Sequence, residues 1–267
     1  MCLKQHETEM NKDKQSYFDK IAHGYKALST DLTPIRSYSE VYTLLKRIGD
    51  INGKEVLHVA CSDGYFSRLI KQAGAKSLLG VDLSPNMIAI AEQHEKKSPL
   101  GITYQVADVF SMELDSRFDI LFSSFAMSYA TTRDQLLKMC VILYERLKPG
   151  GKLISMNDHP ELKIDCETGY QKYGKTKRII PPVQDGANIE VTWIAPDENN
   201  KLSEIKFKCH YFTRDAFIDA LTRAGFVDIK FNSPEVSPEG LELFGESYWT
   251  TFLSNPLLIF IEVQKPY

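Results

Sequence analysis

Glu55-Val56-Leu57-His58-Val59-Ala60-Cys61-Ser62-Asp63-Gly64, then Tyr65-Phe66-Ser67-Arg68-Leu69-Ile70-Lys71-Gln72-Ala73-Gly74, and after Ala75-Lys76 the run Ser77-Leu78-Leu79-Gly80-Val81-Asp82, decides the fold. Residues 55–60 are short, apolar and β-branched, the pattern of a buried strand. Residues 61–64 are small or turn-forming, and Phe66, Leu69, Ile70 and Ala73 then share one helical face until Gly74 stops the helix. A second apolar strand ends at Asp82. Strand, tight turn, helix, strand and terminal acid make the first half of an α/β nucleotide-binding unit. The turn lets a ligand approach the backbone, the helix start offers unpaired N–H groups, and the acid accepts two ribose hydroxyls. Dinucleotide enzymes space three glycines as G-x-G-x-x-G. Here Ala60, Ser62 and Gly64 follow the shorter G-x-G-x-G spacing, with two small side chains in place of glycines. Close approach is then preserved if residues 60 and 62 avoid positive φ.

The alternation continues outward. Ser84-Pro85 caps a helix over residues 85–97, and residues 102–106 form a third strand ending at Ala107-Asp108-Val109. A carboxylate there can accept the exocyclic amine of adenine. Residues 118–126 are the fourth strand and its exit; a helix over 133–147, the turn Lys148-Pro149-Gly150-Gly151 and a fifth strand over 152–156 follow. Upstream, residues 4–14 read as a disordered tail, and residues 16–25 and 37–48 as helices. After Met156 the alternation breaks. Residues 157–186, with a basic cluster (Lys172, Lys175, Lys177, Arg178) and Pro181-Pro182, read as loop with one helical turn. Residues 189–194 and 202–208 alternate with period two as a β-hairpin. Thr213 caps a helix through Ala224, residues 227–231 are a sixth strand, 239–253 a helix and 257–263 the last strand. The expected division is a tail and helical lid over 1–50, an α/β core over 51–156, an inserted cap over 157–212 and the rest of the core over 213–267.

Composition narrows the class. The chain has 267 residues, 43% of them hydrophobic, and a net charge of −3, which leaves no electrostatic footprint for nucleic acid. Its five cysteines are odd in number and lie outside C-x-x-C pairs, which fits a reducing cytoplasm and argues against a structural zinc site or a disulfide framework. No signal-like or membrane-spanning apolar run occurs, so the expectation is a soluble cytoplasmic protein, monomer or homodimer, without membrane or nucleic-acid partners.

The turn, the two strand-terminal acids and the Leu147-Lys148-Pro149-Gly150-Gly151 turn, in this order, resemble the class I S-adenosylmethionine (SAM) methyltransferases. Their first motif reads roughly V-L-D-L-G-C-G-T-G, and His58 stands where that motif has an acid. The resemblance implies a Rossmann-like, doubly wound seven-stranded α/β sheet with the last strand antiparallel between the fifth and sixth, an N-terminal helical lid and an inserted β-hairpin cap. It also implies SAM as cofactor, S-adenosylhomocysteine (SAH) as product, and no metal. The pattern Phe18-Asp19-x-Ile21-Ala22-x-x-Tyr25 resembles the lid of small-molecule methyltransferases, with Tyr25 and Arg36 contacting the amino-acid end of SAM. Ala60, Cys61, Ser62, Gly64, Asp82, Leu83, Met87, Ala107, Asp108 and Val109 complete the implied cofactor set, with Ser123 and Phe125 near the sulfonium. A narrower resemblance, in Pro99 to Ile102 and in Val236 to Trp249, is to bacterial methyltransferases of toxoflavin biosynthesis, which methylate ring nitrogens of an azapteridine.

The methyl acceptor is then a small planar molecule. Ser124, Tyr129, Tyr173, Trp193, Tyr211 and Trp249 are candidates to line its pocket, although large aromatics are equally ordinary core residues. The exit of the fourth strand carries no acid pair, histidine or cysteine, so His159 after the fifth strand is the candidate general base if one is used. The competing functions are O-methylation of a phenolic or polyketide metabolite and non-catalytic SAM binding.

Overall fold

The structure, a computed structural model, describes residues 33–267 apart from residues 113, 115, 164 and 198. The tail, the helix expected over 16–25 and Tyr25 lie outside the described residues. A π-helical turn, Arg36–Glu40, leads into α1 (Val41–Ile48), whose Leu44 and Ile48 are fully buried. The core then runs β1 (Glu55–Val59), α2 (Tyr65–Gln72), β2 (Ser77–Asp82), α3 (Pro85–Lys97), β3 (Ile102–Val106), β4 (Phe118–Ser124), α4 (Arg133–Glu145) and β5 (Leu147–Asp158). It closes with α5 (Arg214–Ala224), β10 (Val227–Asn232), α6 (Pro238–Phe244), α7 (Glu246–Ser254) and β11 (Leu258–Gln264).

The seven strands pair in the order β10-β11-β5-β4-β1-β2-β3, with β11 antiparallel to both neighbours and the other pairs parallel. This is the class I methyltransferase Rossmann-like sheet. Chain order reverses between β1 and β4, which opens a crevice at the carboxyl ends of those strands. The central strands are apolar on both sides because helices cover both faces. Val56, Phe122, Ile154 and Phe260 pack with α1, α2, α3 and α7, while Leu57, Leu121, Leu153 and Ile261 pack with α4 and α5. Caps fall where the sequence placed them: Ser84 accepts from Met87 N–H and Thr213 from Ala216 N–H. Among the described residues no helix is long and apolar enough to cross a membrane.

Two expectations are corrected. The helix over 239–253 is two helices, broken at Gly245, whose φ of 77° takes it out of the helical region. The segment expected to be loop contributes β6 (Asp165–Cys166) and β7 (Lys175–Ile179). They extend the hairpin of β8 (Asn188–Pro196) and β9 (Leu202–His210) into a four-stranded antiparallel sheet ordered β6-β7-β8-β9. In β7, Lys175, Lys177 and Ile179 occupy one face, opposite Trp193, Val191 and Ile189 of β8. Inward lysines disguised a period-two strand as a polar loop.

The cap is fastened to the core by aromatic packing. Tyr173 stacks on Trp249 with centroids 5.5 Å apart, and both are fully buried. The Tyr173 hydroxyl donates to Tyr248 O at 2.6 Å and Trp249 Nε1 donates to Gly240 O at 2.9 Å. Tyr211 is also buried and donates its hydroxyl to Pro160 O. Tyr173, Trp249 and Tyr211 are therefore core residues and lie outside the main cavity, contrary to their expected place in the acceptor pocket. Replacing Trp249 with Ala is expected to destabilise the fold by about 3–5 kcal/mol in denaturant titrations. A cost below about 1 kcal/mol would contradict this placement.

Candidate active site

One large cavity opens at the switch point, with about 1410 Å³ of empty space including its mouth. Its first wall is the β1–α2 turn. Ala60 (φ 57°) and Ser62 (φ 52°) are both left-handed, so the expectation that they avoid positive φ is overturned. Each costs about 1–2 kcal/mol relative to ordinary backbone. The conformation is held by backbone bonds: Cys61 N–H donates to Val81 O at 3.0 Å and Gly64 N–H to Cys61 O at 3.0 Å. Ser62 N–H donates to Asp82 Oδ2 at 2.9 Å, and Ser84 N–H donates to Asp82 Oδ1 at 2.9 Å. Asp82 thus accepts backbone N–H groups of Ser62, Leu83 and Ser84, which fix the carboxylate and leave it capacity for a ligand. Burial raises its pKa above the usual carboxylate value, only partly opposed by those N–H bonds. Gly64 shapes the turn but does not line the cavity; a side chain there would collide with Tyr104.

The second wall is Leu83 and Met87 with Ala107, Asp108, Val109 and Phe110. Asp108 Oδ1 accepts the Phe110 N–H at 3.0 Å, which orients its carboxylate at the end of β3. The third wall is the exit of β4, where Ser124, Phe125 and Tyr129 line the cavity. Phe125 has a φ of 57°, an unusual conformation for a bulky residue, and its N–H donates to Met156 O at 2.7 Å. Ser123 is fully buried and lies outside the cavity, because successive residues of a strand face opposite sides. Its expected place near the sulfonium is withdrawn.

His58 sits beneath this wall, fully buried against Phe122. Its Nδ1 is 2.7 Å from Ser67 Oγ and its Nε2 3.3 Å from Ser124 Oγ. Burial lowers its pKa from 6.5 to about 3. A neutral histidine therefore stands where the resemblance expects an acid, and it positions a cavity-lining hydroxyl.

The fourth wall comes from the cap; the sequence pointed to Trp193 and Arg36 there but not to its buried lysines. Lys175, Lys177, Val191, Trp193, Phe207 and Cys209 line it, with Arg36 from the π-helical turn and Asp158 from the end of β5. Both lysines are buried and each meets an acid: Lys175 Nζ lies 2.8 Å from Glu40 Oε1, and Lys177 pairs with Asp158. Lys177 also donates to Leu257 O at 2.9 Å, and Cys209 Sγ lies 3.3 Å from Asp158 Oδ2. Burial pulls Lys175 down to about 8, with Glu40 working against it. Burial alone would raise Glu40 and Asp158, but the neighbouring cations outweigh it and hold both carboxyls below their usual range. Lys175 Nζ is 4.0 Å from the Trp193 ring centroid and 4.8 Å from that of Phe125, and Arg36 lies 4.7 Å over Trp193. The signal for this wall was the inward alternation of Lys175, Lys177 and Ile179.

The structure thus brings together Arg36, Ala60, Cys61, Ser62, Asp82, Leu83, Met87, Ala107, Asp108, Val109, Ser124, Phe125, Tyr129 and Trp193. His159 is not among them. It is nearly buried beyond β5, where its Nδ1 accepts the Glu161 N–H at 3.1 Å, so it is too engaged and misplaced to serve as the base.

Comparison with known proteins agrees with this geometry. Residues 56–151 match the family model described as a methyltransferase domain, the segment that carries the first three walls. The chain is 28% identical over 149 residues to a ubiquinone biosynthesis O-methyltransferase of Coxiella burnetii, covering 55% of this chain and 62% of that protein. It is 25% identical over 158 residues to the Pseudomonas aeruginosa protein of the same description, covering 57% and 66%. The chain therefore spans less than two thirds of the length of these relatives. Among solved structures, a SAM-dependent methyltransferase from Clostridium acetobutylicum superposes with a TM-score of 0.62 at 15% identity, covering 94% of this chain and 99% of that one. SAM-bound CalS10, an amino pentose methyltransferase from Micromonospora echinaspora, gives 0.59 at 18% identity, covering 85% and 90%. The fold is that of SAM-dependent methyltransferases, and the first three walls lie within the segment that matches the methyltransferase-domain model.

The histidine at position 58 makes a pH prediction. As pH falls, the unfolded chain protonates His58 near 6.5 while the folded chain resists until about 3. The stability it contributes is complete above about pH 6.5 and is lost between there and about pH 3. Between about pH 6.5 and 5 its share of the loss is about 1.5 kcal/mol. His58→Gln should show a shallower decline by about that amount in unfolding titrations across this window. An unchanged slope would mean that His58 is not held neutral.

Proposed function

We propose that this protein is a SAM-dependent methyltransferase acting on a small planar molecule. The observation that carries the reading is the fixed Asp82 carboxylate beside a left-handed turn, with Asp108 one strand further, both lining the cavity at the sheet's switch point. The hydroxyls of a ribose suit the remaining acceptor capacity of Asp82, and an exocyclic amine suits Asp108. The methyl is already activated by the sulfonium. Transfer needs chiefly a nucleophile held in line about 3 Å away, which the cap and the β4 exit can enforce by excluding water and fixing orientation.

Within that class the reading favours a ring nitrogen of an azapteridine, the toxoflavin-type precursor. It rests on the C-terminal resemblance, on the aromatic rings of Phe125 and Trp193 in the cavity, and on a β4 exit that offers Ser124 and no base. The O-methyltransferase relatives favour a second reading, methylation of a phenolic oxygen. Both acceptors are flat, and both can present an electron-rich atom without a protein base.

Titration calorimetry with SAM should show saturable binding, weakened by about 1–3 kcal/mol in Asp82→Ala. Unchanged affinity in that variant would overturn the ribose assignment. Incubation with SAM and desmethyl azapteridines or phenols should yield a product heavier by one CH₂. SAM binding with no methylated product across such a panel would leave a SAM-binding protein rather than an enzyme.

A further inference from the structure

The cavity is electrostatically divided. Its nucleotide side carries the carboxyls of Asp63, Asp82 and Asp108, which suit a cationic sulfonium cofactor. Its cap side carries Lys175, Lys177 and Arg36 against the two acids that pair with them, Glu40 and the cavity-lining Asp158, which leaves one positive charge in excess. The two lysines are not equivalent. Lys177 uses two donors in the fold, on Asp158 and on Leu257 O, and acts as a tie. Lys175 is 2% exposed, lines the cavity, and has one hydrogen bond, to Glu40 Oε1 at 2.8 Å. Its other two N–H groups meet no acceptor among the described residues, and a buried ammonium with two idle donors is costly unless a ligand completes it. The ammonium lies within 5 Å of the ring centroids of both Phe125, at the β4 exit, and Trp193.

We propose that Lys175 docks the methyl acceptor, and that this acceptor is a planar ring acid, with an acidic ring N–H or O–H, bound as its anion. The inference rests on the methyltransferase reading above and narrows its substrate class. Glu40 is shared between Lys175 and Arg36, so this side of the cavity keeps a net positive charge that repels an incoming sulfonium unless the second ligand is negative. Burial places Lys175 near 8, so it is charged at neutral pH, and an anion beside it strengthens that charge. The step then balances without a protein base. A lone pair of the ring anion forms a bond to the methyl carbon while the carbon–sulfur bond breaks, and that bond's electron pair returns to sulfur. Anion and sulfonium become neutral product and neutral thioether. The product no longer pairs with Lys175, which favours its release.

The test uses the full chain loaded with SAH and two probes of nearly the same shape. They are 4-nitrophenol, whose hydroxyl ionises near neutrality with a colour change, and 4-nitroanisole, which cannot ionise. The proposal expects the phenol to bind about tenfold or more tightly than the anisole. It also expects the bound phenol to show the anion's absorption in a buffer where the free probe is mostly protonated. Lys175→Met combined with Glu40→Gln removes both charges of the pair, whereas Lys175→Met alone leaves Glu40 its second cation, Arg36 Nε at 3.6 Å; the variant that keeps the fold and the SAH affinity should abolish both effects. Equal affinity for the two probes, a bound phenol that stays neutral, no binding of either, or an undiminished preference in that variant each overturns the proposal. SAH affinity on the same samples separates the two levels. Absent SAH binding by the unmodified chain sinks the methyltransferase reading itself, whereas intact SAH binding without anion preference sinks only the role of Lys175.

Discussion

Two buried ion pairs hold the cap where the cavity needs it. Lys175 and Lys177 project from one face of β7 into the protein, and each finds an acid on a different core element, Glu40 on the π-helical turn and Asp158 at the end of β5. Desolvating four charges costs several kcal/mol per ion before pairing returns it. Removing one partner of such a pair typically destabilises by about 3–5 kcal/mol, because the other is left buried and alone. The pairs are therefore better understood as specifying how the cap docks than as net stabilisers. Around them the aromatic cluster of Tyr173, Trp249 and Phe252 supplies apolar burial that does not depend on charge.

The opposite wall stores its cost in the backbone. Ala60, Ser62 and Phe125 all hold left-handed conformations that glycine adopts freely, and all three line the cavity. Strain of this kind persists only where surrounding bonds over-determine it. Here Asp82 clamps Ser62 and Ser84 N–H, and Met156 O holds Phe125 N–H. A rigid turn against a carboxylate on one side, and cations over aromatic rings on the other, give the cavity two chemically distinct halves. His58 links the floor of these halves, joining α2 through Ser67 to the β4 exit through Ser124.

Much of this was legible in the sequence, and the physical reasons for the rest are specific. Strands β1, β2, β4 and β5 announce themselves because helices cover both of their faces, and the edge strand β3 by its alternation of buried and exposed residues. The spacing of Ala60, Ser62 and Gly64 and the acids Asp82 and Asp108 pointed to residues of which all but Gly64 line one side of the cavity, although not to the sign of φ at the first two. β7 escaped because its inward residues are lysines, and charge reads as solvent exposure until a buried partner is known. Tyr173, Tyr211 and Trp249 were assigned to the pocket because aromatic side chains suit pockets and cores alike. Ser123 was a parity error: it shares a face with Leu121, whereas Ser124 shares one with Phe122. His159 lies one residue beyond the cavity-lining Asp158, and one residue is enough to turn a side chain away.

The proposed division of the cavity, an acidic half for the nucleotide and a cationic half for the acceptor, is most directly tested by a crystal structure of the full chain with SAH. The account predicts both ribose hydroxyls within hydrogen-bond distance of Asp82, adenine beside Asp108, and the sulfur directed toward Ser124 and Phe125, with Lys175 left facing the open remainder of the cavity. SAH seated against the cap lysines, or with its ribose away from Asp82, would contradict it.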